Sequence, residues 1–248
     1  MNPEEYTKLN RLEKEHWFYA GKREIVRYWI EKLHPLWRES LLVDCGAGTG
    51  QFAAEMQQFC RVLAVDDHEE SLEIAMSKLG SSSVKRGSCL ALPLSDESTD
   101  CLTALDVLEH VPDDAKAITE FARVLKPEGI AVITVPALKS LWSDWDVSLH
   151  HCRRYGRNSF LKLLDHPEFR IEHWNFVNVL ALPAVYLTRK LRVITGATIR
   201  AEDKLPPRWL NLALKTAFTG LACQNKIRFP VGVGLLAVIR KSRRIRAE

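Results

Sequence analysis

A glycine-rich segment offers the clearest chemical signal in the chain: Val43-Asp44-Cys45-Gly46-Ala47-Gly48-Thr49-Gly50. Glycines let a ligand approach the backbone closely. A dinucleotide site needs the spacing G-x-G-x-x-G, and a phosphate-binding loop ends in Gly-Lys-Ser/Thr, but these glycines fall at 46, 48 and 50 and neither pattern is present. The segment therefore favours a ligand bound without a cradled pyrophosphate, and an ordinary tight turn is the alternative.

A carboxylate, Asp66, ends the next apolar run, residues 61–66, and lies 16 residues after the last of these glycines. At the tip of the second strand of an open α/β sheet, a carboxylate can accept both hydrogen bonds of a ribose diol. A solvated strand-end carboxylate is the alternative, and it suits the neighbouring Asp67 better. Asp66 and the glycines together predict a nucleoside-binding site.

A polar segment follows the last of the alternating strands and contains Trp142, Asp144 and Asp146. It ends in a histidine, two arginines and a tyrosine, His151, Arg153, Arg154 and Tyr155. Arginine forks match phosphate and carboxylate groups, so one hypothesis is recognition of an anionic or polyhydroxyl substrate. The other is that Arg153 and Arg154 pair with Asp144 and Asp146 and fix the loop as a salt-bridged cover.

The elements that must position these residues alternate along the chain. Short apolar runs predict strands and periodic runs predict helices, in the order strand 41–45, helix 51–59, strand 61–66, helix 69–80, strand 84–87, strand 100–105, helix 113–126 and strand 130–136. This rhythm predicts a parallel sheet covered on both faces. A helix over 4–33 with a break at Gly21 precedes it, and 169–176 and 233–241 could add two strands.

Four segments between about residue 40 and residue 136 resemble, in order and spacing, the motifs of the class I S-adenosylmethionine-dependent methyltransferases: VDCGAGTG, LAVDD, GSCLALPLSDESTDCLTALDVLEHVPD and FARVLKPEGIAVITVP. The resemblance implies an α/β, Rossmann-like, doubly wound, seven-stranded and mostly parallel sheet. Its last strand would be antiparallel, and extra helices would lie at the N- and C-terminal sides. It also implies S-adenosyl-L-methionine as the cofactor and S-adenosyl-L-homocysteine as the product.

The domain prediction is a single methyltransferase domain over 1–248. Within it we expect an N-terminal helical lid at 1–35, the cofactor-binding core at 40–136, a substrate-side insertion at 137–168 and added helices at 177–230.

The resemblance also implies roles for individual residues. The amino-acid end of the cofactor would be framed by Asp44, Gly46, Ala47, Gly48 and Gly50, and Asp66 would take the ribose hydroxyls. Asp67 would lie beside the adenine. The family often has an acidic residue where this chain has Ser88, so Ser88 and the backbone amide of Cys89 would contact the ring instead. Leu105 and Asp106 would face the methyl-transfer position.

Methyl transfer to a hydroxyl calls for a base, for which His151 is the first candidate and Asp106 the second. Trp17, in His16-Trp17-Phe18-Tyr19, would join Arg153, Arg154 and Tyr155 at the substrate as part of a lid, with aromatic packing as the alternative. The H-x-R-R-Y pattern resembles a bacterial subgroup associated with cell-envelope glycan or polyprenyl-linked pathways. No HExxH or Cys/His cluster occurs, so no metal is predicted.

Charge and cysteine usage indicate the location and partners. Residues 1–188 carry 21 basic and 28 acidic side chains, whereas 189–248 carry 14 and 3. The basic end predicts an anionic partner or a solvated basic surface. Six cysteines without CxxC spacing, and no apolar N-terminal or membrane-length run, predict a reducing cytoplasm. The apolar stretch 176–187 and the basic run after it suit peripheral contact with the inner face of an anionic membrane, with a buried helix as the alternative.

The sequence thus predicts an enzyme that transfers a methyl group from S-adenosylmethionine to a small-molecule, glycan or lipid-linked acceptor. One alternative is a non-catalytic protein that binds the cofactor or its demethylated product. The other is a nucleic-acid methyltransferase, which the absence of an Asn/Asp-Pro-Pro-aromatic tetrad disfavours.

Overall fold

The computed structural model describes residues 12–195 and 205–243. The start of the predicted helix 4–33, part of the added helices and the end of the basic tail lie outside these residues. The strands are β1 Leu41–Cys45, β2 Arg61–Asp66, β3 Val84–Arg86, β4 Thr99–Leu105, β5 Leu125–Pro136, β6 Phe169–Val177 and β7 Gly234–Lys241. The helices are α1 Trp17–Leu33, α2 Gln51–Met56, α3 Glu69–Leu79, α4 Asp114–Val124, α5 Asp144–Ser148, α6 Arg157–Leu163, α7 Leu182–Thr195 and α8 Arg208–Ala222.

All seven strands form one sheet in the order β3-β2-β1-β4-β5-β7-β6. The first five strands pair in parallel, and β7 runs antiparallel to both β5 and β6. The prediction of a seven-stranded, mostly parallel sheet with an antiparallel last strand is therefore confirmed. Strand β7 can lie inside the sheet because its run Leu235–Ile239 is apolar and buried.

The core lies on both faces of the sheet. One apolar cluster contains Phe121 of α4 and Phe160 of α6, and the other contains Trp29 of α1, Met56 of α2 and Phe218 of α8. A local capping interaction sets the start of a helix. The Asp113 side chain, for example, accepts the Lys116 N–H and caps the start of α4.

Gly21 does not break the first helix, contrary to the prediction, but lies inside α1. A Cβ at Gly21 would lie 2.7 Å from Cδ1 of Phe218, so the glycine lets α1 approach α8 closely. The packing partner is 197 residues away in the chain, and no local pattern could reveal it.

The order of the strands determines where a ligand can bind. The chain proceeds outward from β1 through β2 to β3 and then returns to place β4 on the other side of β1. In open α/β sheets, ligands bind at such a switch point, outside the carboxyl ends of the strands. The glycine turn after β1, Asp66 at the end of β2 and Asp106 after β4 all lie at this edge. Among the described residues, no helix is both long and apolar enough to cross a membrane.

Candidate active site

The glycine turn after β1 is held against the end of β2. The N–H groups of Gly46 and Ala47 both donate to the Val65 carbonyl, at 2.8 and 3.1 Å. Gly46, Gly48 and Gly50 have φ values of 68°, 53° and 73°, a backbone region that side chains disfavour. A Cβ at Gly46 would also lie 2.4 Å from Cγ2 of Val107. Both conformation and space therefore require glycine at position 46.

Asp66 ties this turn to the second strand. Its carboxylate accepts the Gly48 N–H at 2.8 Å through Oδ2 and the His68 N–H at 3.0 Å through Oδ1. Each carboxylate oxygen has a second lone pair, so the side chain retains capacity for ribose hydroxyls. The side chain of Asp66 is nearly buried, whereas Asp67 is exposed and lies 2.7 Å from Nδ1 of His68.

Asp44 is a buried carboxyl beneath the glycine turn. The Thr103 hydroxyl donates to Asp44 Oδ1 at 2.7 Å. Burial raises the pKa of the Asp44 carboxyl to about 7, and the neighbouring charges of Asp66 and Glu13 add to the shift against the opposing hydrogen bond from Thr103. The carboxyl can therefore gain or lose a proton near neutral pH.

Glu13 is a site residue that the sequence did not indicate. Its carboxylate accepts the Thr49 hydroxyl, and Glu13 Oε1 is the nearest atom to the position of a Cβ at Gly48, at 4.0 Å. Burial raises the pKa of the Glu13 carboxyl, although Thr49 and Lys78 oppose the shift. The segment before α1 thus lies over the glycine turn, as a lid would, but only the fold brings it there.

The adenine side of the predicted site contains Ser88 and Cys89, in the loop after β3. The Ser88 hydroxyl accepts the Leu90 N–H at 3.2 Å, so it stabilises its own turn. The Cys89 thiol is hydrogen-bonded to the thiol of Cys45, which directly precedes the glycine turn. This contact joins the loop after β3 to the loop after β1.

Asp106 follows Leu105 at the end of β4 and is already paired. The Thr134 hydroxyl donates to Asp106 Oδ1 at 2.9 Å, and the Lys22 ammonium of α1 forms an ion pair with Oδ2. Burial alone would raise the pKa of the Asp106 carboxyl, but Lys22 and Thr134 outweigh it and hold the pKa below its usual value. A carboxylate stabilised in this way is a weak base. Lys22 is a second residue that the sequence did not indicate.

A buried carboxylate, Asp146, organises the loop of residues 142–155, which the sequence predicts to face the substrate and which is called the substrate-side loop below. Its side chain is 0% exposed and accepts from Arg154 Nε at 2.6 Å, with Nη1 of Arg189 at 3.3 Å. Burial alone would raise the pKa of Asp146, but His151, Arg154 and Arg189 lower it to about 2. Arg154 also donates to the Ala137 carbonyl at 2.9 Å. Arg154 is thus paired with Asp146, as the alternative of a salt-bridged loop predicts.

Arg153 and Tyr155 meet at another acidic residue, Asp114. Arg153 Nη1 lies 2.7 Å from Asp114 Oδ2, and the Tyr155 hydroxyl lies 2.7 Å from the same oxygen. Asp114, rather than Asp144, is therefore the acidic partner of Arg153. Tyr155 and Arg154 are buried, whereas the Arg153 side chain is 31% exposed. Of these three predicted substrate-binding residues, Arg153 therefore has surface open to a ligand.

His151 meets two consecutive residues from a distant part of the chain, Glu109 and His110, beside this loop. The rings of His110 and His151 lie edge to face, with centroids 4.7 Å apart, and Glu109 is completely buried next to them. Burial and the nearby charge of Asp106 raise the pKa of the Glu109 carboxyl well above its usual value. Glu109 was not among the predicted site residues.

The aromatic segment at the start of α1 packs against α8. The Trp17 ring lies edge-on to Phe218 at 5.7 Å between centroids, and Phe18 stacks on Phe218 at 5.9 Å. The Trp17 N–H donates to Oδ1 of Asn211 at 2.8 Å, and the buried His16 side chain accepts the Phe18 N–H. These contacts correspond to the packing alternative, and they also hold the preceding segment over the glycine turn.

Comparison with known proteins adds to this geometry. Residues 43–133 match the family described as "methyltransferase domain". A probable S-adenosylmethionine-dependent methyltransferase of Mycolicibacterium smegmatis is 27% identical over 163 residues, which are 64% of this chain and 62% of that protein. The chain is therefore similar to S-adenosylmethionine-dependent methyltransferases, and the matched residues include the glycine turn and Asp66.

Solved structures agree with this methyltransferase fold. A geranyl diphosphate C-methyltransferase of Streptomyces coelicolor, in complex with Mg²⁺, geranyl-S-thiolodiphosphate and S-adenosyl-L-homocysteine, has a TM-score of 0.61 at 13% identity, over 90% of this chain and 76% of that one. A cyclase, SpnF, has a TM-score of 0.55 at 20% identity, over 86% and 78%. The chain spans 36–62% of the length of the first three curated relatives it matches.

Proposed function

We propose that this protein transfers the methyl group of S-adenosylmethionine to an acceptor bound outside the carboxyl ends of β4 and β5. The observation that carries the proposal is the hydrogen bond from the Gly48 N–H to Asp66 Oδ2 at 2.8 Å. It brings the glycine turn and a nearly buried carboxylate together at the topological switch point of the sheet, where a nucleoside can be held by its ribose and by backbone groups.

The roles of the cofactor-binding residues follow from their positions. Asp66 would accept the ribose hydroxyls, because its carboxylate is fixed by two backbone N–H groups and each oxygen has a lone pair left. The glycine turn and Asp44 would lie at the methionine end. Asp67, Ser88 and the Cys89 amide would lie on the adenine side, and Leu105 next to the methyl group.

We propose that His151, rather than Asp106, acts on the acceptor. Asp146 is ionised and can only accept, so the 3.1 Å contact between Asp146 Oδ1 and His151 Nδ1 requires the hydrogen on Nδ1. The lone pair is then on Nε2, which is free to interact with the acceptor. Asp106 is less suited to the task, because the Lys22 ion pair lowers the pKa of its carboxyl.

The proposed acceptor is a small-molecule, glycan or lipid-linked hydroxyl. Arg153, at the partly exposed edge of the substrate-side loop, would contact an anionic group of such an acceptor. A peripheral contact with an anionic membrane is supported by the exposed apolar side chains of Leu180, Tyr186 and Leu187, at or near the start of α7. Flotation with anionic and neutral liposomes tests this contact, and equal recovery with both would contradict it.

Calorimetric titration with S-adenosyl-L-homocysteine tests the proposed function. We expect micromolar binding that Asp66→Ala weakens, with no signal for NAD. The control substitution Asp165→Ala, at an exposed position in the loop before β6, should leave the affinity unchanged. Absence of binding by the folded wild-type protein would contradict the proposal. Methyl transfer from labelled cofactor in a bacterial lysate then separates an enzyme from a protein that only binds the cofactor, and the salt dependence of RNA binding tests the nucleic-acid alternative.

A further inference from the structure

Glu109, His110 and His151 form a compact group of metal-ligating side chains beside the proposed methyl-transfer position. One carboxylate oxygen and one ring nitrogen from each histidine all lie within 4.8 Å of one another. Metal–ligand bonds of about 2.0–2.2 Å place two ligands of one ion at most about 4.3 Å apart. Small side-chain rotations would therefore bring the three groups onto a single ion.

The carboxyl group of Glu109 has no other explanation in the described structure. Glu109 is 0% exposed, and neither of its oxygens accepts a hydrogen bond from another residue. Burial of a polar group without a partner costs free energy, so such a group calls for an ion, a water molecule or a catalytic role. The Asp106 carboxylate, held by Lys22, is the next charge facing the group.

His151 is oriented in the manner of a metal ligand. Its Nδ1–H donates to Asp146 Oδ1 at 3.1 Å. Metal-ligating histidines usually donate their second ring N–H to a carboxylate or a backbone carbonyl, which fixes the tautomer. The Nε2 atom of His151 thus keeps a lone pair for a ligand bond.

The group is also accessible from outside. Glu109 is buried and His151 partly so, but His110 is exposed. An ion could therefore enter from the His110 side, and three protein ligands would leave at least one coordination position open, as in catalytic metal sites.

We propose that Glu109, His110 and His151 bind one divalent transition-metal ion, such as Zn²⁺ or Mn²⁺, which coordinates the hydroxyl oxygen of the methyl acceptor. Two imidazoles and one carboxylate favour such an ion over Mg²⁺, which prefers an all-oxygen set. A histidine bound to a metal has no lone pair for a proton, so His151 would act on the acceptor through the ion. The role of the ion in methyl transfer rests on the proposed function, whereas binding of the ion by the three residues does not.

The reaction on such a site balances without a change in oxidation state. Coordination lowers the pKa of the acceptor hydroxyl, and its proton passes to water. The alkoxide oxygen then forms a bond to the methyl carbon of S-adenosylmethionine, the carbon–sulfur bond breaks, and its electron pair goes to sulfur. The products are the methyl ether and S-adenosyl-L-homocysteine. The chemical class of acceptor is thus an alcohol or phenol.

Cobalt titration of the full chain, first freed of metals with a chelator, tests the inference. Co²⁺ reports histidine and carboxylate ligands by its visible absorption, and calorimetry with Zn²⁺ and Mg²⁺ measures affinity and selectivity. The test variants are Glu109→Gln, which has the same shape as the wild-type side chain, and His110→Ala. The controls are His166→Ala, remote from the group, and His68→Ala, which removes a ligand from the second candidate group, Asp66, Asp67 and His68.

We expect one Co²⁺ per chain, binding weakened about tenfold or more by Glu109→Gln and His110→Ala, and unchanged binding in both control variants. Absence of Co²⁺ and Zn²⁺ binding at millimolar concentration would overturn the inference, as would equal binding by Glu109→Gln or loss in His68→Ala. Titration with S-adenosyl-L-homocysteine on the same samples checks the fold and separates the two proposals. Cofactor-product binding without metal binding refutes only the metal site, and metal binding without it refutes only the proposed function.

Discussion

Replacement of Gly46 by alanine tests the argument that backbone conformation and space both require glycine at the start of the turn. Gly46 has a φ of +68°, and its Cβ would lie 2.4 Å from Cγ2 of Val107. Gly48 has a φ of +53°, but its nearest neighbour is Glu13 Oε1 at 4.0 Å. Gly46→Ala therefore combines conformational strain with overlap, whereas Gly48→Ala has the strain alone.

The two contributions give different magnitudes. A non-glycine residue in the left-handed region costs roughly 1–2 kcal/mol, and an added methyl group in a packed position costs roughly 1–3 kcal/mol. Gly46→Ala should thus lower the free energy of unfolding by about 2–5 kcal/mol, and Gly48→Ala by about 1–2 kcal/mol. For a chain of this size each kcal/mol corresponds to about 2–4 °C in Tm.

Thermal and urea unfolding, together with titration of S-adenosyl-L-homocysteine, measure these effects. Gly220→Ala is the control, because Gly220 lies in α8 with nothing within 4 Å of its Cβ position, and the change should stabilise the protein by up to about 1 kcal/mol. In the double variant Gly46→Ala/Val107→Ala the overlapping methyl groups are absent, so the loss should shrink toward that of Gly48→Ala. Equal losses in Gly46→Ala and Gly48→Ala, or no recovery in the double variant, would refute the reasoning.

Three other substitutions test the electrostatics of the site. The pKa of the Asp44 carboxyl is about 7 in the folded protein against an ordinary value of 3.8, so its contribution to stability is lost as the pH rises from about 4 through 7. Asp44→Asn should remove on the order of 4 kcal/mol of this pH dependence in urea unfolding, and an unchanged pH profile would contradict it. Arg154→Met removes one partner of the buried Asp146 and should lower the free energy of unfolding by about 3–5 kcal/mol. Addition of Asp146→Asn should restore part of this loss, and equal stability of the single and double variants would be evidence against the pairing. Lys22→Met should raise the pKa of the Asp106 carboxyl and speed amide hydrogen exchange in α1, and exchange as slow as in the wild type would show that the ion pair does not hold the helix.

Much of the fold could be predicted from the sequence because its signals are local. The bounds of β1 and β2 agree with the predicted 41–45 and 61–66, since short apolar runs ending at glycine or aspartate define a strand without reference to the rest of the chain. The glycine turn and the start of α4 are also set locally. The residue that caps α4, Asp113, lies three positions before the N–H group that it accepts. The prediction of the cofactor site rests on these local patterns in their order.

The contacts that give the acceptor end its chemistry depend on residues far apart in the chain. His151 lies 41 residues after His110, and its approach to Glu109 and His110 follows from the loop that Asp146 and Arg154 fix beside β5. Likewise, only the packing of α1 on α8 explains why Gly21 sits inside a helix and why Lys22 reaches Asp106. Backbone conformation and burial pattern are set over a few neighbouring residues. The sequence by itself therefore determined the strands, the glycine turn and the position of Asp66 at the end of β2. Tertiary structure alone decided three other features: the burial of Glu109 without a partner, the ion pairs, and the arrangement of the possible metal ligands. These features arise only when separate elements pack against one another.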